Sequence, residues 1–272
     1  MRNAPHILLN TTDIEIWPGG LLRARSSSDA RILARASHVL RRKDDGRYLA
    51  AQLSGGLMPL VTRLSDEPGI AQALSVLETH LSQPARMPPP RGALPLAQLQ
   101  QRLDLLGLDN DDYAARSGLQ LVAEPAHLAL AGFDRYRRPL WLTAGAARGW
   151  QRLQQAAAAD GVALDAISGY RGHAYQLGIF ARKLARGLSV AQILTVNAAP
   201  GYSEHHGGSA LDIGTPGEPP AEESFERTAA FAWLQQHAGR FGFHMSYPRD
   251  NPHGIVYEPW HWCFATDADQ HG

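Results

Sequence analysis

Residues 203–212 read SEHHGGSALD, which puts two adjacent imidazoles, two adjacent glycines and an aspartate within ten residues. A catalytic zinc site needs three protein ligands and one open position for water. His205 and Asp212 are candidates for two of those ligands, and Gly207 and Gly208 let the chain turn between them. Asp212 lies in the apolar, strand-like run ALDIG, where a carboxylate needs a partner to offset its desolvation, and a metal ion would serve. The third candidate is His261 in EPWHWCF. Glu258 stands three residues before it, and Pro259 between them stiffens a bend that could aim both side chains into one cleft. Glu258 is then the candidate general base, close to the metal without ligating it. In SGYRGHAYQ, Arg171 follows a strand-like stretch, and its fork suits a terminal carboxylate or a developing oxyanion. Gln176 and Ser203 could add hydrogen bonds to a substrate.

Each of these residues also has an ordinary reading. His205 alone fits a structural or surface histidine, Asp212 can cap a turn before Gly214, and Glu258 can pair with an arginine such as Arg249. In an extended chain His206 points away from its neighbour and reads as part of the cleft wall. The same alternation puts His261 and Cys263 on one side. A thiolate there could close the site and make it structural, and a buried inert thiol is the alternative. Trp260 and Trp262 then face the other way, as core or cleft wall. His173, His244 and His253 lie near the motifs and are expected at the surface or in support of the ligands.

The elements that must carry these groups can be traced along the 272 residues. The run QPARMPPPRGALP, residues 83–95, holds five prolines and reads as a linker. Residues 1–82 before it read as a small accessory α+β module with no chemical constellation. TTDIEIW and GRYLAAQL are strand-like, while SDARILARASHVLRR has Ile32, Leu33, Ala36, Val39 and Leu40 on one helical stripe with Ser28 or Asp29 as cap. EPGIAQALSVLETHL is a second amphipathic helix. After the linker, residues 96–108, 143–161, 173–186, 189–196 and 225–242 read as helices, and 117–142 are mixed. VALDAIS reads as a strand, and the aromatic tail to Phe264 as two short strands around a loop. Helices followed by short strands indicate an α+β class.

Bulk composition narrows the function classes. With 44% apolar and 19% charged residues the chain is globular rather than disordered. A formal net charge of zero gives no footprint of a nucleic-acid or anionic-membrane partner. One cysteine excludes an intrachain disulfide, and the short apolar run near the start is unlike a signal-peptide core. A cytoplasmic location is the expectation; a periplasmic chain trimmed at its start would read the same.

Taken together and in order, the three segments resemble the VanY-type D-alanyl-D-alanine carboxypeptidases, zinc peptidases of bacterial cell-wall metabolism. The resemblance rests on Ser168, Gly169, Tyr170 and Arg171 with Gln176, then Ser203, His205 and Asp212, then Glu258, Trp260 and His261. FGFHMSYP before the last motif adds to it, and the likeness covers roughly residues 95–265. Two details depart from the family: His206 follows a ligand position, and Cys263 stands where the family often has arginine.

The resemblance implies Zn2+ on His205, Asp212 and His261, Glu258 as base, and Arg171 holding substrate or transition state. It implies an α+β domain over residues 96–272, a small antiparallel sheet flanked by helices forming a zinc cleft, after the N-terminal α+β module. The expected reaction removes a C-terminal D-alanine from a peptidoglycan stem peptide or muropeptide, by D,D or L,D cleavage, with neither nucleic acid nor membrane as partner. Two rivals are an endopeptidase or endolysin that cuts cross-links, and a non-catalytic zinc-containing peptide-binding module.

Overall fold

The computed structural model of the chain describes residues 6–82, 92–96 and 98–265, so most of the proline-rich run lies outside the described residues. The fold is mixed α+β, built on antiparallel sheets with helices, and divides into two compact units. The first comprises residues 1–95 and 125–130, and the second residues 96–124 and 131–272.

The first unit is an antiparallel meander of β1 (Ile7–Asn10), β2 (Ile14–Pro18), β3 (His38–Arg42), β4 (Tyr48–Leu53) and β5 (Gly56–Pro59). The start of β6 (His127–Phe133) pairs with β1 through Leu8 and Leu128. Two helices join it, α1 (Ser27–Leu33) and α2 (Ile70–Ser82). Ile70, Ala73 and Leu77 recur at helical spacing on α2 and meet Leu9, Ile14, Ile16, Leu40, Leu49 and Ala50 from the sheet.

One expectation fails here. The stripe from Ile32 to Leu40 is not one helix: α1 ends at Leu33, and Val39 and Leu40 lie in β3, paired with β2 and β4. A short apolar run with a β-branched residue fits either period, and pairing on both sides decides for the strand. The cap of α1 is Ser26, whose hydroxyl accepts from the Asp29 N–H, rather than Ser28 or Asp29.

The second unit opens with α3 (Leu99–Asp104) and α4 (Asn110–Ser117), and then contains β7 (Pro139–Leu142) and α5 (Ala144–Ala159). Next come β8 (Asp165–Ser168), α6 (His173–Leu184), α7 (Val190–Leu194) and β9 (Ala210–Gly214). It ends with α8 (Ala229–His237), β10 (Phe243–Met245) and β11 (His261–Phe264). Strands β8 to β11 form an antiparallel sheet in the order β10–β11–β9–β8, while β7 lies beside β6. Thr143 caps α5, and the helix buries Ala146, Trp150, Leu153 and Ala157 on one face. Leu99, Leu103, Tyr113 and Tyr202 form a core under the loop that leads to the 203–212 motif. Among the described residues no helix is long and apolar enough to cross a membrane.

Candidate metal centre

Asp212 on β9 and His261 on β11 are directly opposite residues of an antiparallel pair. Opposed residues project to the same face, so the sheet alone brings this carboxylate and this imidazole side by side. His205 comes from a 3₁₀ turn, Glu204–Gly207, that closes on Gly208 at φ 70° before β9 begins. That left-handed cap is where a glycine is needed. The turn carries His205 over β9, fully buried.

The three side chains converge. His205 Nε2 lies 3.2 Å and His261 Nδ1 3.1 Å from the same Asp212 Oδ1. One ligand atom from each of the three residues falls within 4.8 Å of the others. The outer ring nitrogens are already engaged. His205 Nδ1–H donates to the Gly169 carbonyl at 2.7 Å, and His261 Nε2–H donates to Glu204 Oε2 at 2.8 Å. Such partners fix each ring's orientation and turn the remaining nitrogen toward a metal.

The fit to a divalent cation can be judged from His205. Burial, and then the Arg171 charge, lower its pKa to about 4, so the ring is neutral with its proton on Nδ1. Nε2 is fully buried and makes no well-directed hydrogen bond, although Asp212 Oδ1 is near. A lone pair facing a carboxylate oxygen in a buried site is unfavourable unless a cation lies between them. Two nitrogens and one oxygen also form a donor set that suits zinc. The residues present therefore fit the ion.

Around this centre the other groups fall into place. Arg171 Nη1 is 3.8 Å from Asp212 Oδ2, and Arg171 Nε is buried without a partner. Burial alone would raise the Asp212 carboxyl, but His205, His261 and Arg171 hold it well below the usual carboxylate range. Burial would lower His261, yet the hydrogen bonds its ring donates to Asp212 and Glu204 raise it to about 10. Glu258 Oε2 stands 3.9 Å from His261 Nδ1. Its burial, against the pull of His261, raises its pKa to about 7. Arg249 pairs instead with Glu226 at 2.8 Å, so the ordinary partner considered for Glu258 is taken. Gln176, Ser203 and Trp260 line the same cleft, and Gln176 donates to the Ala198 carbonyl at 2.9 Å.

Two of the surrounding residues, His206 and Glu204, differ from expectation or escape it, while Cys263 takes one of its two expected readings, a buried thiol apart from the ligands. His206 is not cleft wall: it is fully buried, its Nδ1–H donates to the Arg171 carbonyl at 2.6 Å, and its Nε2 accepts from the Gly201 N–H. The 3₁₀ turn, rather than an extended chain, sends it behind the Arg171 segment. There its ring meets His173, which is buried near Glu124. Cys263 is buried with Sγ 3.8 Å from Ser209 Oγ and is absent from the three-ligand cluster. Glu204 is the residue that spacing misses. The only signal is a carboxylate beside a candidate ligand in a tight turn, where successive side chains diverge enough to reach round to His261.

A family model described as VanY, D-alanyl-D-alanine carboxypeptidase, matches residues 139–267. The bifunctional D-Ala-D-Ala dipeptidase and D-Ala-D-Ala carboxypeptidase VanXYC of Enterococcus gallinarum is 31% identical over 147 residues, 52% of this chain and 75% of that protein. YodJ of Bacillus subtilis is 31% identical over 175 residues, 61% of this chain, and this chain spans 62% of its length. A solved structure of a vancomycin-resistance D,D-pentapeptidase VanY mutant, in complex with Zn(II), is 33% identical with a TM-score of 0.39, covering 46% of this chain and 74% of that one.

Proposed function

The chain belongs to the VanY family of D-alanyl-D-alanine carboxypeptidases, and from that premise we propose that it is a zinc carboxypeptidase removing a C-terminal D-alanine from peptidoglycan stem peptides. The observation that carries the reading is the meeting of His205 Nε2 and His261 Nδ1 on one oxygen of Asp212, with both outer nitrogens tied.

His205, Asp212 and His261 would hold the zinc, which would supply Lewis acidity toward the scissile carbonyl and toward water. Glu258, poised near neutrality and beside His261, takes a proton from the attacking water. The water oxygen bonds to the carbonyl carbon, the C–N bond breaks, and Glu258 returns the proton to the departing amine. Arg171, whose guanidinium reaches toward Asp212, offers N–H donors to the oxyanion or to the substrate's terminal carboxylate. Ser203 and Gln176 border the same space and orient the peptide.

The test is to incubate the zinc-loaded protein with tetrapeptide and pentapeptide stems and weigh the products. Loss of one alanine from the pentapeptide marks D,D cleavage, and loss from the tetrapeptide marks L,D cleavage. Glu258→Gln is expected to keep its zinc and lose about 10²- to 10⁴-fold in kcat. A Glu258→Gln protein that hydrolyses at the full rate removes Glu258 from the mechanism. A zinc-loaded wild type that trims neither peptide sinks the carboxypeptidase reading.

A further inference from the structure

The cleft of about 300 Å³ that contains the metal candidates has one charged wall residue that the hydrolytic steps leave idle. Lys183, half-buried near the end of α6, lines the same cleft as Arg171 and Gln176. Gln176 and Lys183 are seven residues apart, so they share one face of α6 and are offset along it by ~10 Å. Lys183 Nζ donates to Asn197 Oδ1, which tethers the ammonium to the cleft wall. An ammonium has three donors, so this tether leaves others for a ligand. Among the described residues its partner is this neutral amide, and no ion pair holds it. Burial, and then the positive charge of Arg171, hold its pKa below the ordinary lysine value against the opposing pull of Glu258. Val196 and Val256, both exposed, line the cleft as well and offer apolar surface. Only two of the chain's 26 basic residues are lysines, Lys43 and Lys183. A compact ammonium here is a different instrument from the planar fork of Arg171.

We propose that Lys183 and Asn197 form a second anion subsite, which recognises a free side-chain carboxylate of the substrate two or three residues before the scissile bond. This deepens the carboxypeptidase reading and rests on it. A carboxypeptidase has a single residue on the departing side, so with Gln176 beside the metal candidates in the cleft, a cation ~10 Å further along α6 is assigned to the amino side of the cut. Extended peptide covers ~3.4 Å per residue, so that offset spans about three residues, or two where a long side chain covers the remainder. The substrate class is then an acidic peptide, read at both ends of the cleft.

The experiment uses two matched pairs of pentapeptides ending in D-Ala-D-Ala. Within a pair, one residue, either two or three before the scissile bond, carries a free side-chain carboxylate or its carboxamide. The zinc-loaded full chain is assayed for kcat/KM, and Kd is measured in the Glu258→Gln background, where turnover is slowed. The wild type is expected to favour the acid of at least one pair by about tenfold. Lys183→Gln, which can still donate to Asn197, brings the ratio close to one, and Lys183→Glu inverts it. Melting temperature and zinc content accompany each variant, so that an unfolded protein is not read as a specificity change.

Equal rates on acid and amide by the wild type overturn the subsite and leave the carboxypeptidase reading intact. So does a Lys183→Gln protein that keeps the preference, or one that slows on both members of a pair alike, as a purely structural lysine would. An acid-selective Kd without hydrolysis keeps the subsite and removes the proposed reaction. Absence of both binding and hydrolysis overturns the two together.

Discussion

Each ring nitrogen of His205 and His261 has its own task. The Gly169 carbonyl and the Glu204 carboxylate occupy the outer nitrogens, and the inner ones turn to Asp212. Glu204→Gln keeps the shape of the partner and removes its charge. It is expected to weaken zinc binding about 10- to 100-fold, read by competition with a chromophoric chelator. Zinc affinity equal to wild type would show that Glu204 is a bystander. His261 also gives the metal-free protein a pH signature. Its folded pKa, about 10, lies above the unfolded value of 6.5. The stability it contributes is therefore full below pH 6.5 and is lost as pH rises through about 10. Urea midpoints of the metal-free protein should fall across that window, and fall less in Glu204→Gln. Zinc uptake at pH 8 should release a proton from His261, visible by calorimetry in buffers of different ionisation enthalpy. For turnover, Glu258 must be unprotonated, so kcat/KM is expected to drop on the acid side. Its midpoint should lie at or below about 7, because a nearby dication lowers a carboxyl pKa.

At the scale of elements, the site is a strand pair plus one tight turn. Gly208 at φ 70° ends the turn that carries His205. Gly208→Ala is expected to cost about 1–2 kcal/mol and to weaken zinc binding with it, measured by denaturant unfolding with and without zinc. If the variant matches wild type in both, the turn is not what holds His205. His205, Asp212, His261 and Glu258 stand out in the sequence by type and spacing; β9, β11 and the 3₁₀ turn bring the three ligand atoms together, with Glu258 3.9 Å from His261. The helix of residues 144–159, with its Thr143 cap, is legible because propensity and apolar period agree over sixteen residues. The switch from α1 to β3 is not, because five residues of His38–Arg42 take their conformation from neighbouring strands. Glu204 and His206 escape for a related reason: their roles depend on a 3₁₀ turn that no periodicity announces.

For the whole molecule, the candidate ligands, the base and Lys183 all belong to the second unit, and the first has a core of its own. Leu49→Ala in that first core should cost about 2–5 kcal/mol in unfolding while zinc affinity stays at the wild-type value. A parallel loss of zinc affinity would tie the first unit's core to the site. The pairing of Asp212 with His261 has a consequence for how the second unit reaches its native state. A slip of one residue between β9 and β11 would send one of the two side chains to the opposite face of the sheet. Only the correctly aligned strand pair could then grip an ion, so a bound ion would favour the native strand alignment during assembly. Refolding yields should accordingly rise when zinc is present from the first moment rather than added after the chain has collapsed.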